Sequence, residues 1–525
     1  MAKYNKTKTG PAPVVNHQGG TAMAYKPEYE LIALLSTGMN NNFYEKENDR
    51  EKRLAELIKI VGEKNPVFLA KALVYTRSVI GQRSVTHVGA ALAAPILSGT
   101  EIGRKFYGKR DKKKNKGGIV HRIDDILEIV AYYFLRNKPK AGKKHAALSN
   151  AMKAGFKQAL ENADTYELAK YQAKRNSVSL VDICNLVSPK PSEKMMETFK
   201  LLMSGDLKQF NTAEDKNSEA GQVVAAKVKS GEITKEEAKT ELAEAKAENW
   251  KELITNGTLG YLALLRNLRN ITNTATDEVF KLALNMLVDE KRVRESLVFP
   301  HQIDLAFEVL LLEGLEKSGR KTELLTAVNK AYEMAIPNLK ELFAYGKTAV
   351  VVDTSGSMTS QKVAINQKAS SSRPIDKAAL VAATLVKGTD CDLYQFAESC
   401  SSISINPLDT VNTIKNRIIS LAYGGGTAFT SIFNALKDGY TRVIIVSDMQ
   451  GGDSVLTSSA YKNYMNRNAQ PYVYSIDMCG YGTTMFKDNQ KYIKLFGYSK
   501  DIYEFVRQAE IDPEAIIKEI NKIVI

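Results

Sequence analysis

The chain has 525 residues, 44% hydrophobic and 25% charged, enough apolar material for two or three packed domains. Its four cysteines, Cys184, Cys391, Cys400 and Cys479, show no CxxC spacing, which argues against a disulfide framework or thiolate zinc site and fits a reducing compartment. The formal charge of +14 is uneven: residues 1–200 carry 35 Lys and Arg against 19 Asp and Glu, an excess above that of the whole chain. A localised basic excess points to a polyanionic partner, most simply nucleic acid.

In chain order, residues 1–26 read as a polar leader without the apolar core of a signal peptide. Nowhere does an uninterrupted apolar run reach about 18 residues, so a cytoplasmic protein that does not span a membrane is expected. One amphipathic helical pattern then follows another. Leu54, Leu57, Ile58 and Val61 fall at helical spacing, and Gly62 with Pro66 ends that helix. Leu69, Ala72, Leu73 and Thr76 repeat the pattern, as do Leu127, Val130, Ala131 and Phe134. Strand signals are scarce up to about Leu342. Residues 27–346 therefore read as stacked antiparallel helix pairs, a solenoid that makes a concave surface or closes into a ring. No strict repeat period is visible, so closure does not follow from the sequence.

Two stretches depart from this texture. Gly103–Gly118, GRKFYGKRDKKKNKGG, is a lysine-rich loop beside Phe106 and Tyr107. Residues 214–250 form an Ala/Glu/Lys segment with a capping box at Thr234 and Glu237, which predicts a solvated helical insertion. From Lys347 the runs TAVVVD, CDLYQF, RVIIVSD and YVYSID alternate with helical stretches at 376–387 and 430–437. That alternation predicts a Rossmann-like parallel sheet over 347–525, hence a multidomain α plus α/β fold.

In such sheets ligands bind beyond the carboxyl ends of strands at the topological switch point. Asp353 ends the first strand and is followed by Ser355 and Ser357; Thr427 follows three glycines; Asp448 ends RVIIVSD. The five give only oxygen donors, two of them carboxylates, a set that suits Mg²⁺ or Mn²⁺. DxSxS, then a Thr after a glycine run, then a strand-terminal Asp resembles the metal-ion-dependent adhesion site of von Willebrand factor A domains. The resemblance implies an ion whose open coordination position takes a carboxylate from a partner protein. Ala428 departs from it, since relatives often carry Asp after that Thr.

The helical part has a match of its own. LLSTGMNNNFYE (34–45), NPVFLAKALVYTRSVIGQRSV (65–85), AKYQAKRNSVSLVDICNLVSPKP (169–191) and GYLALLRNLRNIT (260–272) resemble successive signatures of TROVE-domain proteins, the family of the Ro autoantigen and its bacterial orthologues. The resemblance runs over about residues 27–525. It implies an α-helical, HEAT-like repeat ring closed by a C-terminal von Willebrand A domain. It also implies binding of small noncoding Y-like RNA outside the ring, and of single-stranded 3′ ends of structured or misfolded RNA in its basic hole. Protein partners would be an exoribonuclease or another acidic ligand at the metal site.

Carried over by motif, Lys170, Lys174, Arg175 and Lys190 would contact phosphate. Lys190, between two prolines, reads equally as a solvated turn. Arg83, Arg266 and Arg269 are further RNA candidates, although Arg269 and Arg83 could pair internally with carboxylates. Lys112, Lys113 and Lys114 would add affinity without sequence discrimination on the outer RNA surface. Where Ro proteins often carry histidines, this chain has Leu180, Ser188 and Gln302, which puts base-edge contacts there in doubt.

Two rival classes stand beside this reading. Two carboxylates and a cation could activate water, but no nucleophile, general base or second metal accompanies them. None of His17, His87, His121, His145 or His301 falls in the metal motif, His87 and His301 read as packing residues, and no enzyme is expected. The alternative is a protein-binding scaffold whose metal site captures acidic partner residues without RNA.

Overall fold

The structure, a computed structural model, describes residues 12–39, 43–111, 113–139, 141–142, 145–172, 178–207, 213–257, 259–296, 298, 300–312, 318–336, 345–359, 363–365, 369–389, 391–406, 408–498, 502, 510, 512 and 514–525. From Pro27 to Ala335 the elements are helices, apart from a short hairpin at Arg110–Asp111 and Lys116–Gly117. The helix Glu47–Lys64 buries Leu54, Leu57, Ile58 and Val61, the four residues at helical spacing. Asn65 both ends it and caps the next helix, its side chain accepting from the Phe68 amide at 2.9 Å, with Pro66 in the first turn. Leu69, Ala72, Leu73 and Thr76 are buried as expected.

The Ala/Glu/Lys segment is a helical hairpin, Ala213–Ser230 and Lys235–Thr255, and the capping box forms, with Thr234 accepting from the Glu237 amide. It is not solvated throughout. Trp250, the only tryptophan, and Ile254 anchor it in the core.

The C-terminal unit is a six-stranded sheet. Its strands, in the order they lie side by side, are Tyr492–Phe496, Tyr472–Asp477, Tyr440–Ser447, Lys347–Asp353, Asp392–Phe396 and Cys400–Ile403; the last is antiparallel and the others parallel. Strand period two divides it into faces. Val350, Val352, Ile444 and Val446 join the core shared with the helices, while Ala349, Val351, Val443 and Ile445 pack under Phe429 and Phe433. We call Lys347–Asp353 β1 and Tyr440–Ser447 β2. The chain leaves β1 toward Asp392–Phe396 and returns to β2 on the other side, so the ends of β1 and β2 form the switch point.

Both ends of the helical array dock on this unit. Helix Pro27–Thr37 packs on strand Tyr492–Phe496, and helix Ala515–Lys522 on Pro66–Tyr75. At the other end, Asp304 of helix Pro300–Leu312 binds Lys415 of helix Val411–Leu421 at 2.6 and 2.8 Å. The array thus begins and ends on the sheet unit, and the circuit is closed. The expected polar leader requires a correction. From Val14 it is an ordered hairpin, Val14–Val15 and Thr21–Ala24, whose second strand pairs with Thr483–Thr484 of the C-terminal unit. Ala22 is buried in the second core.

Candidate metal centre and nucleic-acid interface

The five oxygen-bearing residues Asp353, Ser355, Ser357, Thr427 and Asp448 are all buried. Asp353 sits at the end of β1, where Oδ1 accepts from the Ser355 amide at 2.9 Å and Oδ2 from the Ser447 hydroxyl at 2.6 Å. The Ser355 and Ser357 hydroxyls lie 3.3 Å apart. The Gly356 amide donates to the Gly425 carbonyl at 2.9 Å, which draws the glycine run and Thr427 against the serine loop. Gly424 and Gly425 have φ of 80° and 93°, the left-handed region that suits glycine. Asp448 follows β2; its Oδ1 accepts from the Gln450 amide at 3.0 Å, while Oδ2 is buried without a hydrogen-bond partner.

Burial pushes the Asp353 and Asp448 carboxyls upward, and the charge of Asp353 raises Asp448 further. Two buried carboxylates with one orphaned oxygen form a site of surplus negative charge, which a hard cation would satisfy. Among the described residues no cluster of three His, Cys, Asp or Glu could hold an ion, so an ion here would have to draw on the hydroxyls as well. Sequence reasoning missed several neighbours. Asp453 accepts from the Phe429 and Thr430 amides at 3.1 and 2.7 Å, fixing the helix after Ala428. Tyr44 lies beside Ser357, its hydroxyl pushed up to about 12 by burial and then by Asp448. Gln18 donates to the Thr427 hydroxyl at 3.1 Å.

The basic candidates are dispersed. Arg83 is committed to Asp124 and Asp125, at 2.7 and 3.0 Å. Asp125, although burial opposes its charge, is held well below the usual carboxylate range by His87, Arg77 and Arg83. His87 is buried, as expected; the side chain of His301 lies outside the described residues, as do Lys112, Lys174 and Arg175. Lys170 is exposed, its ammonium 5.3 Å from the Tyr166 ring and 5.8 Å from that of Tyr171. Arg122 links these groups: it binds Asp124 at 2.6 Å and lies 4.7 Å over the Tyr171 ring.

Arg83, Arg122 and Lys170 thus line one run of cations and aromatic faces. Beside it is a cavity of about 710 Å³ lined by Arg83, His87, Tyr132, Phe134 and His145, the last two stacked at 4.6 Å. Arg122 is the member the sequence did not reveal. Lys190 is exposed, with its amide on Glu161 at 2.7 Å. Lys113 and Lys114 sit in the turn of the hairpin, Lys114 3.8 Å from Asp111. Arg266 is exposed and Arg269 half-buried and partnered, both on helix Tyr261–Thr274 and apart from the cluster. Of the missing-histidine positions, Leu180 is buried in the core, and Ser188 ends its helix with φ of 47°.

The TROVE domain model matches residues 31–243 and 218–381. The chain belongs to the TROVE-domain family. RNA binding is the general property of that family. The crystal structure of the Deinococcus radiodurans Ro protein (RSR) is similar over 92% of this chain and 100% of its own, with a TM-score of 0.51 at 15% identity, which supports a shared fold. An aerotolerance-related membrane protein from Bacteroides fragilis covers 34% of this chain and 96% of its own at 15% identity, with a TM-score of only 0.19. No curated protein matches the chain. No helix among the described residues is long and apolar enough to cross a membrane.

Proposed function

We propose that this TROVE-domain protein is a cytoplasmic ribonucleoprotein component. It takes small noncoding, Y-like RNA and single-stranded 3′ ends of structured or misfolded RNA on its basic helical part. The observation that carries this is the run formed by Arg83, Arg122, Tyr171, Tyr166 and Lys170, set in the most basic part of the chain. Cations neutralise phosphate, and aromatic faces and guanidinium planes stack unpaired bases, which a duplex does not offer. Lys174 and Arg175, which follow Lys170 in sequence, are proposed as further phosphate contacts. Arg83, held by two carboxylates, acts by orienting the surface as well as by its own charge. Lys190, Lys112, Lys113, Lys114, Arg266 and Arg269 would contribute further phosphate contacts.

The C-terminal unit, in this reading, is a von Willebrand A domain holding Mg²⁺ or Mn²⁺. Asp353, Ser355, Ser357, Thr427 and Asp448 fit a hard cation, and the orphaned Asp448 Oδ2 supports it. The ion, when bound, supplies a Lewis-acidic position for a partner carboxylate, such as one from an exoribonuclease or another acidic protein. The chain itself positions the donors and keeps water from the carboxylates. In this reading the centre serves binding and not catalysis.

The test is photocrosslinking from a 4-thiouridine placed at the 3′ end of a tailed RNA hairpin. Crosslinks within residues 122–190 support the proposal. Crosslinks spread evenly over the chain, or absent, would favour the scaffold without RNA.

A further inference from the structure

The N-terminal hairpin has no part in the function proposed above, yet it is docked over the metal centre. Asn16 is buried; its Nδ2 donates to the Gly451 carbonyl at 2.9 Å, and its Oδ1 accepts from the Gln18 and Gly20 amides at 2.9 and 3.0 Å. The His17 amide donates to Gln450 Oε1 at 3.0 Å, two residues from Asp448. Its ring stacks on Tyr44 with centroids 5.2 Å apart and meets Tyr481 edge-on at 5.4 Å. Gly20 approaches the loop after β2 so closely that a Cβ there would lie 2.1 Å from the Gly451 carbonyl oxygen and 2.5 Å from that of Asp453. The turn is therefore fixed to the loop carrying Asp448 by hydrogen bonds, stacking and shape together.

It delivers one side chain to the centre. Gln18 Nε2 donates to Thr427 Oγ1 at 3.1 Å, and Gln18 Oε1 is buried without a hydrogen-bond partner. Asp448 Oδ2 is likewise buried and unpartnered. Two orphaned oxygens beside buried hydroxyls and carboxylates are costly in an empty site and are natural donors to a cation. Side-chain amide carbonyls are ordinary ligands of hard ions.

We infer that Gln18 is an internal ligand of this centre. Its amide oxygen holds the coordination position otherwise open to an acidic partner, and the turn Asn16–Gly19 is a plug that leaves before an external carboxylate enters. The inference rests on the metal centre proposed above. The exchange makes and breaks only coordination bonds: a neutral carbonyl leaves and a charged carboxylate enters, with no electron or proton moved. Charge favours the incoming ligand, while tethering favours Gln18. The plug therefore sets a threshold that small free carboxylates do not pass and an acidic protein surface, able to engage the displaced hairpin's footprint as well, does.

The test uses the full chain with Mn²⁺ as probe, read by calorimetry and by water-proton relaxation, in the native protein and in Gln18→Ala, Gln18→Glu and Asp448→Ala. Gln18→Ala is expected to weaken Mn²⁺ binding roughly tenfold. It is also expected to raise the relaxation enhancement, because water takes the vacated position. Acetate should then lower that enhancement in Gln18→Ala at concentrations that leave the native protein unchanged. Gln18→Glu should bind Mn²⁺ more tightly than the native protein. If native protein and both Gln18 variants bind Mn²⁺ alike, with the same enhancement and acetate response, while Asp448→Ala does not bind, the plug is refuted and the metal centre stands. If native protein and Asp448→Ala both fail to bind Mn²⁺, the metal centre fails and the plug with it.

Discussion

Lys415→Met tests whether the far end of the helical array is locked to the sheet unit. Lys415 and Asp304 are 3% and 7% exposed and bonded at 2.6 and 2.8 Å across the junction. At an effective dielectric of about 20 their gross attraction is about 6 kcal/mol. The net cost of leaving the Asp304 carboxylate buried without its cation is about 3–5 kcal/mol. At roughly 2–4 °C per kcal/mol for a unit of this size, the apparent unfolding midpoint should fall by at least about 6 °C. The loss should depend on pH with a definite sign. Burial raises the Asp304 carboxyl above its ordinary value while Lys415 opposes this, so removing the lysine raises it further. The folded variant then keeps a proton that the unfolded chain releases, so its stability is lost as pH rises through the raised pKa and recovered in acid. Differential scanning calorimetry at pH 8 and pH 5 reads this directly, with Asp304→Asn/Lys415→Met restoring most of the midpoint. A loss under about 2 °C, or one equally large at both pH values, would refute the reasoning.

Arg122→Ala and Lys170→Ala should each weaken RNA binding at low salt and reduce the slope of log affinity against log salt by about one, measured by filter binding. Asp448→Ala should abolish Mn²⁺ binding in calorimetry while leaving RNA affinity unchanged, because no donor of the centre belongs to the Arg122 cluster. Gly20→Ala should displace the N-terminal hairpin, since its Cβ would meet two backbone oxygens within 2.5 Å. Faster proteolysis near residues 12–24 with the rest of the chain protected would show it.

Local patterns carried much of the fold. The helical face of Leu54, Leu57, Ile58 and Val61, and the apolar runs that end in Asp353 and Asp448, each state their element and its buried side. The five candidate donors could be picked out because each follows a strand end or a glycine run, and the structure shows all five buried. What escaped has a common cause, since it depends on partners distant in sequence. Thr21–Ala24 is too short to show a period, and its pairing partner is more than 450 residues away. That Arg83 could pair internally was legible, but not that its partners would be Asp124 and Asp125 of another helix. Lys415 looks like one polar residue on an amphipathic helix, and only the junction with Asp304 explains its burial. Gln18 has no motif at all; its place follows from Asn16, Gly20 and the loop beyond β2.

The most direct measurement of the central claim is the affinity of the full chain for one structured RNA with a single-stranded 3′ tail and for the same RNA made blunt, across several salt concentrations. Lys174→Ala/Arg175→Ala is measured alongside. The account predicts tight, tail-dependent binding that falls steeply with salt and weakens in the variant. Equal and weak binding of both RNAs, unchanged in the variant, would contradict it.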